Sequence, residues 1–161
     1  MSKHNILIRQ QQTKKIIQIE GTLDEDFLFS KYPLTDADEI EFHLGKLKQL
    51  NSCGIREWIK WLSTIKDVKT KFYECPKVFV DQMNMIKGFM PANCVVESFY
   101  VPFFNEEVGS EMLILLSNGK EYSNGEVHFP IEVKDESGRP MQLDVVASQY
   151  FKFLKRCKIL N

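Results

Sequence analysis

Apolar and polar residues alternate in several short segments of the first hundred positions, which is the pattern of strands with one buried face. Residues 40–44 show it most clearly, because Ile40, Phe42 and Leu44 alternate with glutamate and histidine. The other predicted strands lie at residues 6–8, 16–19, 70–73 and 95–101. The polar run QQQTKK predicts a hairpin between the first two strands, and Pro102 is expected to end the last one.

Two further segments have a period of 3.6 residues, which predicts amphipathic helices. The apolar stripe of the first helix consists of Ile55, Trp58, Ile59, Leu62 and Ile65. Asn51 is a suitable cap for this helix. The second helix is expected to start at Pro76 and to end at Gly88. Its apolar stripe consists of Phe79, Met83 and Ile86.

This order of elements predicts an α/β fold, with a mixed sheet of about five strands and helices packed on one face. Between the second and third strands, the segment EDFLFSKY is expected to hold a turn or two of helix before Pro33 stops it.

Residues 103–161 follow a different pattern, in which short apolar runs alternate with Gly-containing turns typical of β-hairpins. The turns lie at residues 117–119, 123–125 and 137–138. A closing helix is predicted over residues 145–157. We therefore expect a first domain over residues 1–102 and a β-rich extension with a C-terminal helix over residues 103–161.

Composition restricts the classes of function. The 161 residues are 43% hydrophobic, enough to bury a core. Lys and Arg number 21 against 22 Asp and Glu, so no overall field attracts nucleic acid or an anionic membrane. Apolar runs such as residues 112–116 are too short to span a bilayer, and the first residues lack a signal-peptide core.

Four cysteines are scattered along the chain and form no C-x-x-C pair, which favours reduced thiols in a cytoplasmic protein. They are Cys53, Cys75, Cys94 and Cys157.

Ser52, Cys53 and Gly54 open the first predicted helix with three small side chains. The free amide groups at a helix start favour negative charge. The Ser52 hydroxyl therefore fits two roles, a helix-capping group or a phosphorylation switch. Gly54 costs about 1 kcal/mol of helix stability relative to alanine, so either close packing or access for a partner explains its missing side chain.

Two motifs within residues 3–102 resemble those of STAS domains, the fold shared by sulfate-transporter tails and anti-sigma factor antagonists. Residues 19–24, IEGTLD, are similar to the family's G-x-L-D motif after its second strand. Residues 51–55, NSCGI, are similar to its D-S-[ST]-G-[IL] loop at the start of the long helix. The predicted order of elements agrees with the family. Asn51 replaces the acidic residue of the loop, and Cys53 replaces its second hydroxyl residue.

In bacterial antagonists of this family, a partner that is both kinase and anti-sigma factor phosphorylates the loop serine. The partner binds the unmodified form and releases the phosphorylated form. The resemblance implies this role for Ser52, in a bacterial-type signalling protein that regulates transcription. It also implies a partner-binding surface centred on Asp24, Asn51, Ser52, Cys53, Gly54 and Arg56. For Trp61 two interpretations stay open, a half-exposed side chain at that interface or packing under a neighbouring loop.

The extension resembles a zinc ribbon in two places. Residues 105–109, NEEVG, and residues 134–138, KDESG, have the length of C-x-x-C-G knuckles. The four cysteine positions hold other residues, namely Asn105, Val108, Lys134 and Ser137. Structural zinc needs thiolate or imidazole ligands, so we expect a metal-free ribbon held by apolar hairpins.

The sequence favours a non-enzymatic binding module that acts by protein partner switching, with no cofactor. It contains no paired acid and base, no nucleophile with a base and no glycine-rich phosphate loop, so no catalytic residue is predicted. The expected partner is a kinase-like, anti-sigma-like or other signalling protein, and neither nucleic acid nor membrane is expected. The alternative is a small-molecule sensor, in which the start of the first helix binds phosphate or a nucleotide through backbone amides.

Overall fold

The computed structural model describes residues 4–156, and its first part is a five-stranded mixed sheet. The strands are β1 (His4–Gln11), β2 (Lys14–Leu23), β3 (Glu39–Leu50), β4 (Lys69–Tyr73) and β5 (Cys94–Val96). They lie side by side in chain order. β1 and β2 form the predicted antiparallel hairpin, and β2 to β5 are parallel. The predicted α/β class with a mixed sheet of five strands is confirmed.

Parallel strands need crossover connections, which usually contain a helix. Helix α1 (Ser52–Leu62) joins β3 to β4, and α2 (Lys77–Met85) joins β4 to β5. Between β2 and β3 the chain forms only a 3-10 helix (Phe29–Lys31), in agreement with the predicted turn of helix before Pro33.

Both long helices pack on the same face of the sheet. Phe42 and Phe72 lie directly opposite each other in β3 and β4, so their side chains share a face. Trp58 of α1 contacts Phe42, with ring centroids 5.2 Å apart, and Phe79 of α2 contacts Phe72 at 5.5 Å. The other face, away from the helices, carries mainly polar and charged side chains such as Glu41 and Lys71, together with the apolar Leu7 and Ile16 near the β1 edge.

The predicted strand over residues 95–101 is wrong in its bounds, because the chain changes sheets at Glu97. β5 ends at Val96, and β6 (Ser98–Asn105) belongs to a second sheet with β7 (Ser110–Ser117) and β10 (Gln142–Leu143). Pro102 does not end β6; its carbonyl accepts a hydrogen bond from the Asp144 amide. The expected division between residues 102 and 103 therefore falls inside a strand.

A hairpin of β8 (Tyr122–Ser123) and β9 (Glu126–Val127) follows the second sheet. Asn124 and Gly125 form its turn, both at positive φ, as expected from the sequence Asn-Gly.

The closing helix is shorter than the predicted one over residues 145–157. Helix α3 (Ala147–Tyr150) is followed by a 3-10 helix (Lys152–Lys155), and Cys157 lies outside the described residues. Asn84 of α2 binds this segment twice: it donates to the Tyr150 carbonyl and accepts from the Phe153 amide, both at 2.8 Å. The side chain of Asn84 thus takes up backbone groups that a longer helix would use internally.

Residues from the two predicted domains, 1–102 and 103–161, contribute to one hydrophobic core. Phe99 is fully buried, and its ring lies 5.2 Å from that of Tyr122 and 5.0 Å from that of Phe153.

Candidate functional site

Asn51 fixes the start of α1. Its side-chain oxygen accepts a hydrogen bond from the Gly54 amide at 2.8 Å, while its own backbone is extended. Its amide also donates to the Leu23 carbonyl at 3.1 Å, which ties the helix start to the end of β2. The predicted role of Asn51 as N-cap is confirmed.

The same side chain has a second partner in Glu25. The Asn51 side-chain amide donates to the Glu25 carboxylate at 2.8 Å. An aspartate at position 51 could accept from Gly54 but could not donate to Glu25, and it would bring two carboxylates together. Glu25 therefore gives a local reason why asparagine suits a position at which the STAS pattern has an acidic residue.

Ser52 is exposed at the first position of α1. Among residues 4–156, no group forms a hydrogen bond with its hydroxyl, since Asn51 performs the capping. The interpretation of Ser52 as the capping group is therefore wrong. Cys53 follows as a partly exposed free thiol.

Gly54 is buried, and its missing side chain is explained by close packing. A Cβ atom at this position would lie 2.0 Å from the Leu23 carbonyl oxygen and 3.0 Å from the Asp24 amide nitrogen. The two motif segments, 19–24 and 51–55, are thus in direct backbone contact. Gly54 shapes the site but presents no side chain to a partner.

Asp24 and Trp61 do not form part of an exposed surface. Asp24 is 4% exposed, and its carboxylate accepts from the Asp26 amide at 3.0 Å. Trp61 is 5% exposed and donates to the Tyr32 carbonyl at 2.7 Å, beneath the turn that contains Phe29. The half-exposed interpretation of Trp61 is corrected: this indole packs under a neighbouring loop, because its N–H finds a partner there.

Arg56 lies one turn from Ser52, and its guanidinium is exposed. It donates to Glu57 at 3.2 Å, and Lys60 donates to the same carboxylate at 3.3 Å. These two hydrogen bonds lower the pKa of the Glu57 carboxyl. The first two turns of α1 therefore expose a hydroxyl, a thiol and a paired cation.

An open cleft of about 500 Å³ lies beside this helix start. Its polar lining includes Thr22, Glu25, Gln49, Asn51, Asp81 and Gln82. Asp24 also lines it, so the described lining carries three carboxylates and no Lys or Arg. The side chains from β3 and α2 could not be assigned to the site from the sequence, because only the fold brings them beside Asn51. Glu25 was within reach of sequence reasoning, since it directly follows the IEGTLD motif.

The two ribbon-like turns are held by side-chain oxygens. Asn105 accepts from the Glu107 amide at 3.0 Å, and Asp135 accepts from the amides of Ser137 and Arg139, both at 2.9 Å. The Asn105 side-chain amide reaches the Pro140 carbonyl at 3.5 Å, which links the first turn to the segment that follows the second. Within residues 4–156, no three His, Cys, Asp or Glu side chains are grouped so that they could hold a metal ion.

No protein-family model matches the sequence, and no curated protein matches it. No helix within residues 4–156 is both long and apolar enough to cross a bilayer. Membership of the STAS family therefore stays a prediction.

Proposed function

We propose that this protein is a non-enzymatic regulatory module, similar to anti-sigma factor antagonists, that binds a signalling protein at the start of α1. The contact surface comprises Asn51, Ser52, Cys53 and Arg56. One observation carries the proposal: Ser52 is exposed and its hydroxyl is not used by the fold, since Asn51 caps the helix. The strand and helix order, which agrees with the STAS pattern, supports it.

We propose that phosphorylation of Ser52 regulates the binding of this partner. A phosphate group adds about −1.5 to −2 charges, and the amides at the helix start tolerate such a charge. A partner surface packed on Ser52 would have to desolvate the added phosphate charge, so we expect the partner to dissociate.

The alternative is a small-molecule sensor, in which the start of α1 binds phosphate or a nucleotide through backbone amides. The described lining of the cleft beside this helix start has three carboxylates and no Lys or Arg. This negative charge disfavours an anionic ligand there.

The test is capture of the partner from the native host by the wild-type chain and by Ser52→Ala and Ser52→Asp variants. We expect a kinase-like or other signalling protein to bind the wild type and Ser52→Ala but not Ser52→Asp. Ser148→Asp is the matched control, because Ser148 is also exposed in the first turn of a helix.

Phosphopeptide mapping of the native protein tests separately whether Ser52 is phosphorylated. Equal capture by Ser52→Asp and the wild type would contradict partner switching. Saturable binding of a nucleotide without any protein partner would favour the sensor.

A further inference from the structure

β1 is an edge strand whose outer side is open. Within residues 4–156, no strand pairs with β1 on the side away from β2. Its eight pairs with β2 run without a bulge, and it contains no proline or lysine, so of the usual protections of an edge strand it keeps only the charge of Arg9. Leu7 and Ile8 are 52% and 37% exposed. An open apolar edge of this length is a site for adding another strand.

The pattern of residues along β1 is symmetrical about Leu7. Ile6 and Ile8 flank it, polar residues Asn5 and Arg9 come next, and His4 and Gln10 follow. An antiparallel strand of the same sequence therefore places apolar side chains opposite apolar ones and polar opposite polar. A two-fold contact requires this kind of self-complementary surface.

We propose that β1 pairs with β1 of a second copy of this chain, in antiparallel register with Leu7 at the two-fold axis. Leu7 then lies opposite Leu7 of the second copy, Ile6 opposite Ile8, and Asn5 opposite Arg9. The two sheets become one continuous sheet. The pairing adds backbone hydrogen bonds along the strand, and the alternate side chains set the register.

A groove on the helix-free face of the sheet, across β1, β2 and β3, lies beside this edge. It has a volume of about 390 Å³ and is lined by Leu7, Arg9, Ile16, Gln18 and His43 together with Ile8. Leu7 and Gln18 are paired directly, as are Arg9 and Ile16, so these four side chains share the helix-free face. Leu7 of the second copy would extend the apolar strip that Leu7 and Ile16 begin.

Charges at Asn5 test both the pairing and its register. In the proposed dimer, Asn5→Glu forms an ion pair with Arg9 of the second copy, twice by symmetry, whereas Asn5→Lys opposes it. Within the chain, Asn5 lies opposite Glu20. Asn5→Glu should therefore destabilise a single copy, and Asn5→Lys should stabilise it. Dimer affinity and monomer stability therefore respond with opposite signs.

Sedimentation equilibrium of the full chain is the measurement. We expect a wild-type dimer of twice 18.8 kDa, roughly tenfold tighter association for Asn5→Glu and roughly tenfold weaker association for Asn5→Lys. Leu7→Lys, a change at an exposed position, should abolish the dimer while circular dichroism shows a folded chain. A monomer at every concentration, or the same direction of change for both Asn5 variants, would overturn the proposal.

Discussion

At the scale of single residues, Asn51 is decisive because one side chain accepts from Gly54 and donates to Glu25. We expect Asn51→Asp to destabilise the protein by about 1–2 kcal/mol at neutral pH, since it loses the donor and places two carboxylates together. Urea unfolding measures the change. Addition of Glu25→Gln should restore stability, because the glutamine amide can donate to the new aspartate. Equal stability of Asn51→Asp and the wild type would contradict this account.

Gly54 gives a second prediction at this scale. In an exposed helix, Gly→Ala stabilises by about 1 kcal/mol. Here the new methyl group would lie 2.0 Å from the Leu23 carbonyl oxygen, a backbone atom that cannot rotate away. We expect Gly54→Ala to lower the free energy of unfolding by about 2–3 kcal/mol. Cys53→Ala, in the same turn, should change it little; a stabilising Gly54→Ala would show that the helix start packs differently.

At the scale of elements, an ion pair joins β2 to β3 on the helix-free face of the sheet. The Lys14 ammonium lies 2.5 Å from the Glu41 carboxylate, which also contacts His43 at 3.4 Å. Burial alone would raise the pKa of Glu41, but the hydrogen bonds from Lys14 and His43 outweigh it and hold this pKa below 4.5. The hydrogen bond to Glu41 raises the pKa of Lys14 above 10.5.

These directions fix how the ion pair depends on pH. The contribution of Glu41 is complete above pH 4.5 and is lost as pH falls through its lower folded pKa. That of Lys14 is complete below pH 10.5 and is lost as pH rises through its higher folded pKa. The difference in unfolding free energy between the wild type and Glu41→Gln should therefore be largest near neutral pH. Urea unfolding at a series of pH values measures it, and a constant difference would refute the assignment.

The same scale shows why some elements follow from the sequence and others do not. β3 and α1 were predictable, because a local period marks one buried face in each. In residues 94–101, the polar pair Glu97 and Ser98 stands where the chain changes sheets, but apolar residues flank it on both sides and no turn residue follows, so β5 and β6 read as one strand.

Contacts between distant residues explain the other errors. The closing helix breaks where Asn84, which is 66 residues away in the chain, binds the Tyr150 carbonyl. In the candidate site, the cap by Asn51 is a local feature and was foreseen. The burial of Trp61 depends on a carbonyl 29 residues away, and sequence spacing carries no information about it.

At the scale of the whole molecule, Asn84 joins the C-terminal segment to the sheet domain. Asn84→Ala would leave the Tyr150 carbonyl and the Phe153 amide without this partner, so we expect a loss of about 2 kcal/mol in unfolding stability. Gln82→Ala in the same helix is the control.

One hydrophobic core contains residues from both the 1–102 and the 103–161 segments. Fluorescence and circular dichroism should therefore report a single unfolding transition; two separate transitions would mean that the two segments fold independently.

The placement of Phe99 has a consequence for biosynthesis. Its ring is covered by Tyr122, Tyr150 and Phe153, all of which leave the ribosome after it. A nascent chain that has emerged only through residue 102 therefore exposes an aromatic patch, which is the kind of surface that chaperones recognise. We expect a fragment of residues 1–102 to bind a hydrophobic dye strongly, and the full chain to bind it weakly. If the fragment does not increase the fluorescence of the dye, residues 1–102 bury Phe99 without the C-terminal residues.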